Sequence, residues 1–211
     1  IGANEATFLY VLPEIFSIFK DKYPNVQISI YRNFTKKVLE KVRTNQLDFG
    51  VVTLPISGDE LNVLPISREE LWLITEPKHP LNKKSSCSIN DLISYPFIFH
   101  SAGTTRERLM KRFGTVWNKL NISMELASIE TIKKFVSIGM GISIVPRSYA
   151  EKEHKEGVLH LQPIKDLNLT RELGVIHRKN RYLSRACVTF LGVIKESMSF
   201  IPTFNSKNDG V

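Results

Sequence analysis

The stretch Ser128-Ile129-Glu130-Thr131-Ile132-Lys133-Lys134-Phe135-Val136-Ser137-Ile138-Gly139-Met140-Gly141-Ile142-Ser143-Ile144-Val145-Pro146 carries the architecture of this chain. It reads as a helix cap, an amphipathic helix, a glycine turn and a short buried strand. Ser128 is placed to accept a hydrogen bond from a free backbone N–H of the first helical turn. Ile132, Phe135, Val136 and Ile138 supply an apolar face at helical spacing. Gly139 and Gly141 allow backbone angles that other residues resist. Ile142, Ile144 and Val145 favour a strand, and Pro146 ends it. A strand leaving a helix this abruptly points to a parallel α/β sheet, in which ligands sit at helix N-termini.

Outward from that stretch, the same alternation recurs. Tyr10 to Tyr23 has a stripe of Leu12, Ile15, Phe16 and Phe19 and reads as a helix, with Pro13 tolerated if its main body starts near Leu12. Val26 to Ile30 alternates like a strand. Thr35 is a candidate cap for a helix carrying Val38, Leu39 and Val42. Leu47 to Val52 suits a buried parallel strand. Leu61 to Ile66 and Leu71 to Thr75 read as two further strands, and Glu76 to Ser88 as a loop. A short helix at Ile89 to Ser94, a strand at Phe97 to Phe99 and a helix at Thr104 to Phe113 follow, the last with Leu109, Met110 and Phe113 inward. Met124 to Ala127, Val158 to Leu161 and Arg171 to His177 read as strands, and Ser184 to Met198 as a long amphipathic helix. The fold class is α/β. One unit spans 1–75 and 177–200, a second spans 76–176, and a polar, fraying tail covers 201–211. Two crossings between the units imply a hinge and a cleft.

With 211 residues and 42% hydrophobic content there is ample core for one large domain or two lobes. No apolar run is long enough to span a bilayer, and no signal-peptide pattern opens the chain. Cys87 and Cys187 fit two thiols in a reduced cytosol, with a disulfide as the alternative, so a cytoplasmic location is expected. The formal net charge of +8 fits nucleic acid, an anionic ligand or a solvated basic surface. Arg178-Lys179-Asn180-Arg181 and Lys111-Arg112 lack interleaved aromatics and read as solvated faces.

Chemistry is expected where strands hand over to helices. Ala3-Asn4-Glu5-Ala6-Thr7, Ser101-Ala102-Gly103-Thr104-Thr105 and Ala127-Ser128-Ile129-Glu130 each place small polar residues before a helix start. Thr104 and Glu107 have the spacing of a capping box. Each such residue alone is as well explained by capping its own helix; their recurrence at three junctions points to anion binding by backbone N–H groups and hydroxyls. Thr53, following the strand Phe49 to Val52, is either a cleft-facing contact or a turn residue before Pro55. Arg106 in a first helical turn is suited to an anion partner or to solvent. No Gly-x-Ser-x-Gly elbow, phosphate-cradling loop or His-Glu-x-x-His occurs. The histidines and cysteines show no metal-ligand spacing. No catalytic residue, cofactor or metal is assigned.

Several ordered motifs resemble the effector-binding domain of LysR-type transcriptional regulators, nearly end to end. They are Ile1-Gly2-Ala3, Tyr10-Val11-Leu12-Pro13, Phe19, Tyr23-Pro24, Leu47-Asp48-Phe49-Gly50-Val51, Glu70-Leu71-Trp72-Leu73-Ile74, His79-Pro80-Leu81, Asp91-Leu92, Pro96-Phe97-Ile98, and the Ser128 to Pro146 stretch itself. The resemblance implies two Rossmann-like subdomains joined by two crossing strands, a periplasmic-binding-protein type II-like fold, with an effector cleft between them. It implies effector contacts at Asn4, Thr7, Thr53, Ser101, Thr104 and Ser128, with Arg106, Gly103 and Ile129 as further candidates. Ala6 stands where some members carry a second hydroxyl.

The resemblance further implies a small, anionic effector, a homodimer of this domain and a homotetramer of the full-length protein. Pairing is expected on the faces of Tyr10 to Tyr23 and Ser184 to Met198. DNA contact is expected only through a helix-turn-helix domain and linker helix that the chain is read as lacking. Gly103-Thr104-Thr105-Arg106 and Arg171 to Arg185 resemble the subgroup regulating carbon dioxide fixation and sulfur metabolism. The alternatives are an extracytoplasmic solute-binding protein and a prephenate dehydratase-like enzyme on a similar fold.

Overall fold

The structure, a computed structural model, describes residues 1–197. Along the chain run β1 Gly2–Ala3, α1 Glu5–Tyr10, α2 Leu12–Lys22, β2 Tyr31–Arg32, α3 Thr35–Arg43, β3 Gly50–Leu54 and β4 Leu61–Thr75. Then come β5 Pro96–His100, α4 Thr104–Phe113, β6 Asn121–Leu126, α5 Ile129–Ser137 and β7 Ser143–Pro146. The last elements are α6 Glu151–Lys155, β8 His160–Gln162, β9 Thr170–Arg178 and α7 Arg185–Ser197. Short 3-10 turns lie at Pro80–Lys83, Ile89–Leu92, Gly114–Lys119 and Arg147–Tyr149. The expected tail at 201–211 and Met198 lie outside the described residues.

The chain forms two compact units, Ile1–Arg68 with Glu172 onward, and Glu69–Arg171. The chain passes from the first unit into the second within β4 and returns within β9, so both divisions fall earlier than the expected 75/76 and 176/177. The expected pair of strands at 61–66 and 71–75 is one continuous strand, because Ser67 and Glu69 continue the extended backbone despite their polarity.

In the first unit β1 pairs in parallel with β2 and with β3, and β3 pairs antiparallel with β9 from Gly50↔Ile176 to Leu54↔Glu172. The core on one side holds Leu12, Ile15 and Phe19 of α2, Phe49, and Phe190, Val193 and Ile194 of α7. Phe190 meets Phe19 edge-on at 5.2 Å between centroids and Phe49 at 5.6 Å. Each such buried ring removes enough apolar surface to stabilise by about 1.5–3 kcal/mol. Val38 and Val42 of α3 pack with Val52, Leu54 and Ile176 in a second cluster.

Two local expectations are corrected here, and the expected start of the second helix near Leu12 is met. Val26 to Ile30 is not a strand; the ladder is made by Tyr31 and Arg32, whose flanking bonds run from Tyr31 N to Ile1 O and from Asn33 N to Ala3 O. Val26 and Ile28 still pack on the core, so the alternation reported burial and not pairing. Thr35 is the first residue of α3, whose cap is Phe34 with no side-chain bond. The first helix begins at Glu5, and the chain breaks at Val11 before α2, with Pro13 inside the first turn of α2 as the helix rules require.

In the second unit β4 pairs antiparallel with β7, from Leu71↔Pro146 to Ile74↔Ser143, and with β8, while β5 and β6 form a separate parallel pair. Phe97 also bridges to Ile142. Leu71, Leu73, Phe97, Phe99, Leu109, Phe113, Trp117 and Ile144 belong to one core. Met110 and Ile138, expected inward, are exposed: α5 ends at Ser137, which turns Ile138 off the apolar face. Cys87 and Cys187 are free thiols. No described helix is long and apolar enough to cross a membrane.

Candidate functional site

The second unit gathers its expected residues by one topological device. β5 and β6 run parallel with His100↔Leu126 as their last register pair, and Ser101 N donates to Leu126 O at 2.8 Å. Both strands therefore end together. Ser101, Gly103 and Thr104 follow one carboxyl end; Ser128 and Ile129 follow the other. The carboxyl edge of parallel strands, with a helix start after each, is where α/β sheets take ligands.

The caps at those two helices differ from expectation. The N-cap of α4 is Gly103, at φ +111°, a conformation that favours glycine, and no side chain caps the helix. Thr104 is the first helical residue, so the expected capping box with Glu107 does not form. Ser128 is the N-cap of α5 in extended backbone, yet its hydroxyl makes no capping bond. The first-turn N–H groups of both helices thus have no side-chain cap, and such groups favour an anion. Ile129 has its side chain buried and offers the site only its backbone. Arg106 donates to the His100 carbonyl at 3.0 Å and pairs with Glu125, its guanidinium over Trp117. Its charge is engaged within the unit.

In the first unit Asn4 follows the carboxyl end of β1 and caps α1, its Oδ1 accepting from Thr7 N at 2.9 Å. Thr7 is 0% exposed, and its hydroxyl has no hydrogen-bond partner among the described residues. A buried unmet hydroxyl costs about 1–3 kcal/mol, so it is held there against a penalty. Thr53 lies inside β3, opposite Leu173, and is 3% exposed. It is neither beyond the strand's end nor a turn residue. Since Ala3 registers with Val51, Thr53 belongs to the same carboxyl edge as Asn4.

One pocket of about 250 Å³ in the first unit, lined by Phe19, Phe49, Cys187 and Phe190 among others, contains none of these residues. No described group of histidine, cysteine, aspartate and glutamate is arranged to hold a metal.

Sequence reasoning missed a buried charge cluster in the second unit. Glu69 is 4% exposed and Arg171 5% exposed, with Arg171 Nε donating to Glu69 Oε2 at 2.6 Å. Arg171 also donates to the Tyr149 hydroxyl and lies 4.8 Å over that ring. Burial pushes the Tyr149 phenol well above its ordinary range, so it stays neutral. Glu69 and Arg171 occupy the inward phase of their strands, with Leu71 and Leu73 on β4 and with Leu173 and Val175 on β9. Opposite charges at two inward phases were the available signal.

The family description LysR substrate binding domain fits residues 1–199. The chain belongs to the LysR substrate-binding domain family. This LysR domain is 32% identical, over 97% of its length, to the probable RuBisCO transcriptional regulator of Trichormus variabilis, and covers 61% of that protein. It is 33% identical to the corresponding protein of Synechocystis sp., again covering 61% of it. The domain thus spans less than two thirds of the length of these relatives.

Among solved structures, the CcmR regulatory domain of Synechocystis PCC6803 in complex with 2-PG matches with a TM-score of 0.82 and 25% identity. The match covers 97% of this chain and 96% of that one. The effector-binding domain of QuiR in complex with shikimate has a TM-score of 0.79 at 19% identity, covering 94% of this chain and 95% of the other, a likeness of fold alone. The LysR domain has the α/β, periplasmic-binding-protein type II-like fold of these effector-binding domains. The family is one of transcriptional regulators, not normally enzymes.

Proposed function

We propose that this LysR domain senses a small anionic metabolite for a transcription regulator. Ser101, Thr104 and Ser128 in the second unit, and Asn4, Thr7 and Thr53 in the first, contribute the contacts. Gly103 and Ile129 contribute backbone N–H groups, and Arg106, held by the His100 carbonyl and Glu125, fixes the loop after β5. The observation that carries this reading is the shared carboxyl end of β5 and β6, where two uncapped helix starts and three hydroxyl residues come together.

The 2-PG bound by the CcmR relative supports an anion and names a first probe. Binding changes the output only through a difference in affinity between states of the domain. Pairing of two copies and a tetrameric full-length protein, with DNA recognition in parts outside this chain, complete the reading, in the cytoplasm. Family membership favours it over a transport solute-binding protein.

The test is a thermal-shift and calorimetric screen against small anions, 2-PG first, with the Thr104→Ala/Ser128→Ala double variant as control. A ligand that binds only the folded state raises Tm with dose. The expected result is a hit whose affinity falls at least about tenfold in the double variant, one lost hydrogen bond to a charged group being worth about 1.5–3 kcal/mol. Unchanged affinity in that variant removes the site assignment.

A further inference from the structure

Helix α4 is fastened at both ends to the segment that leads out of the second unit. Near its C-terminus, Arg112 Nε donates to Leu167 O at 2.8 Å and the same guanidinium reaches Asp166 O. At its first turn, Thr105 Oγ1 lies 3.4 Å from Arg171 Nη1. Arg171 in turn is gripped by Glu69 of β4 and by Tyr149, and Ser148 Oγ donates to the other Glu69 oxygen at 3.2 Å. Glu69 is the first residue of the second unit on β4, and Arg171 its last on β9. The buried ion pair therefore joins the two connecting strands at the point where each enters or leaves the unit.

We propose that Arg171, with Glu69 and Tyr149, is a positioning group: it makes α4 and the segment Asp166–Arg171 move as one piece. A ligand that draws in the Ser101–Thr104 loop thereby acts directly on the two connecting strands. The inference rests on the proposed site for its ligand, but its mechanical content stands on the two tethers. Buried charges are suited to this task. An ion pair adds little net stability over apolar packing, whereas breaking one partner leaves a charge stranded, so the geometry is held tightly. Arg171 presents its donors in a rigid fork, which fixes Glu69, Tyr149 and Thr105 relative to one another. Arg112 supplies the second point, without which α4 could pivot about Thr105.

The test compares amide hydrogen exchange in the wild-type domain with that in Thr105→Val, Thr105→Ser and Arg112→Ala. Thr105→Val keeps shape and removes the oxygen; Thr105→Ser restores it. The expected result is exchange about tenfold faster across 101–107 and 169–174 in Thr105→Val, with Tm nearly unchanged and recovery in Thr105→Ser. Arg112→Ala should loosen 110–113 and 165–168 in the same way. Exchange confined to the substituted residue, with 169–174 unaffected, overturns the proposal whatever the ligand. A second arm adds 2-PG to the wild type and to Thr105→Val. Slowed exchange at 66–71 and 169–174 in the wild type, lost in Thr105→Val, is the coupled result. 2-PG protection of 101–107 that leaves the connecting strands untouched overturns the coupling while keeping the site. Tight 2-PG binding that the Thr104→Ala/Ser128→Ala variant retains rejects the site reading, and the ligand-free arm still decides the tethers.

Discussion

Asn4 Oδ1 accepts the backbone N–H of Thr7 at 2.9 Å, while the hydroxyl of that same threonine is buried with no hydrogen-bond partner among the described residues. One residue of the pair serves the helix, and the other is held in reserve. Their substitutions should therefore separate. Asn4→Ala removes a cap and should cost about 1 kcal/mol in urea unfolding, together with ligand affinity. Thr7→Val removes an unmet polar group and should leave stability equal or higher while affinity falls. A loss of stability in Thr7→Val equal to that in Asn4→Ala would show that the hydroxyl has a structural role.

Gly141 and Gly139 make a second contrasting pair. A Cβ on Gly141 would lie 2.6 Å from the backbone oxygen of Pro96, an atom that cannot swing aside. At Gly139, φ +81°, the nearest atoms are the carboxylate of Glu76 at 3.1 Å and beyond, which can rotate away. Gly139→Ala should cost the backbone strain alone, about 1–2 kcal/mol, and Gly141→Ala clearly more, read as midpoints of denaturant unfolding.

Phe190 packs against Phe16, Phe19 and Phe49. Truncation to alanine should cost about 3–5 kcal/mol through lost burial and the cavity left behind. Val188, on the same helix but exposed, should change stability by less than about 0.5 kcal/mol when replaced by alanine.

Acid should weaken the domain in two windows. Burial lowers the His79 imidazole below 6.5, against a smaller opposing pull from Glu76, so the folded state prefers it neutral. That contribution is complete above pH 6.5 and is lost as pH falls through the lowered value. Asp91 is held at about 2, against an ordinary 3.8, first by Lys84 and then by the backbone N–H and hydroxyl of Ser88. Its contribution is complete above 3.8 and is lost as pH falls through about 2. In a plot of Tm against pH, His79→Gln should flatten the upper window and Asp91→Asn the lower one. Identical profiles in variant and wild type would discard the assignment.

Much of the second unit was legible because its signals are local. The bounds of α4 were readable from Thr104 to Phe113, where Leu109 and Phe113 keep the helical spacing, and Gly139 and Gly141 do mark the turn between α5 and β7. What misled were groups that serve two purposes. Thr104 and Ser128 look like caps in sequence, yet Thr104 lies one residue inside α4, behind Gly103, and Ser128 takes the N-cap position of α5 without a side-chain capping bond. Arg106 looked available until Glu125 and Trp117, distant in sequence, claimed it. The basic runs read as solvated faces are partly tethers: Arg178 reaches Arg43 O, and Arg181 reaches Leu47 O and Asp48. Such bonds span more than a hundred residues, and no periodicity reports them. The Glu69–Arg171 pair was hidden for the same reason, although each charge sits at an inward phase that strand alternation exposes.

The second unit is one unbroken length of chain, Glu69–Arg171, whereas the first is built from two lengths, its β3 paired with β9 and its core filled by Phe190, Val193 and Ile194. On a ribosome that order matters. The segment up to Arg68 is made before the second unit but lacks its closing strand and helix, so Phe19 and Phe49 stay without Phe190 until α7 has been made. The usual N-terminal-first sequence of folding is thereby inverted. The second unit can assemble while synthesis continues, and the waiting first unit is the species that chaperones would meet.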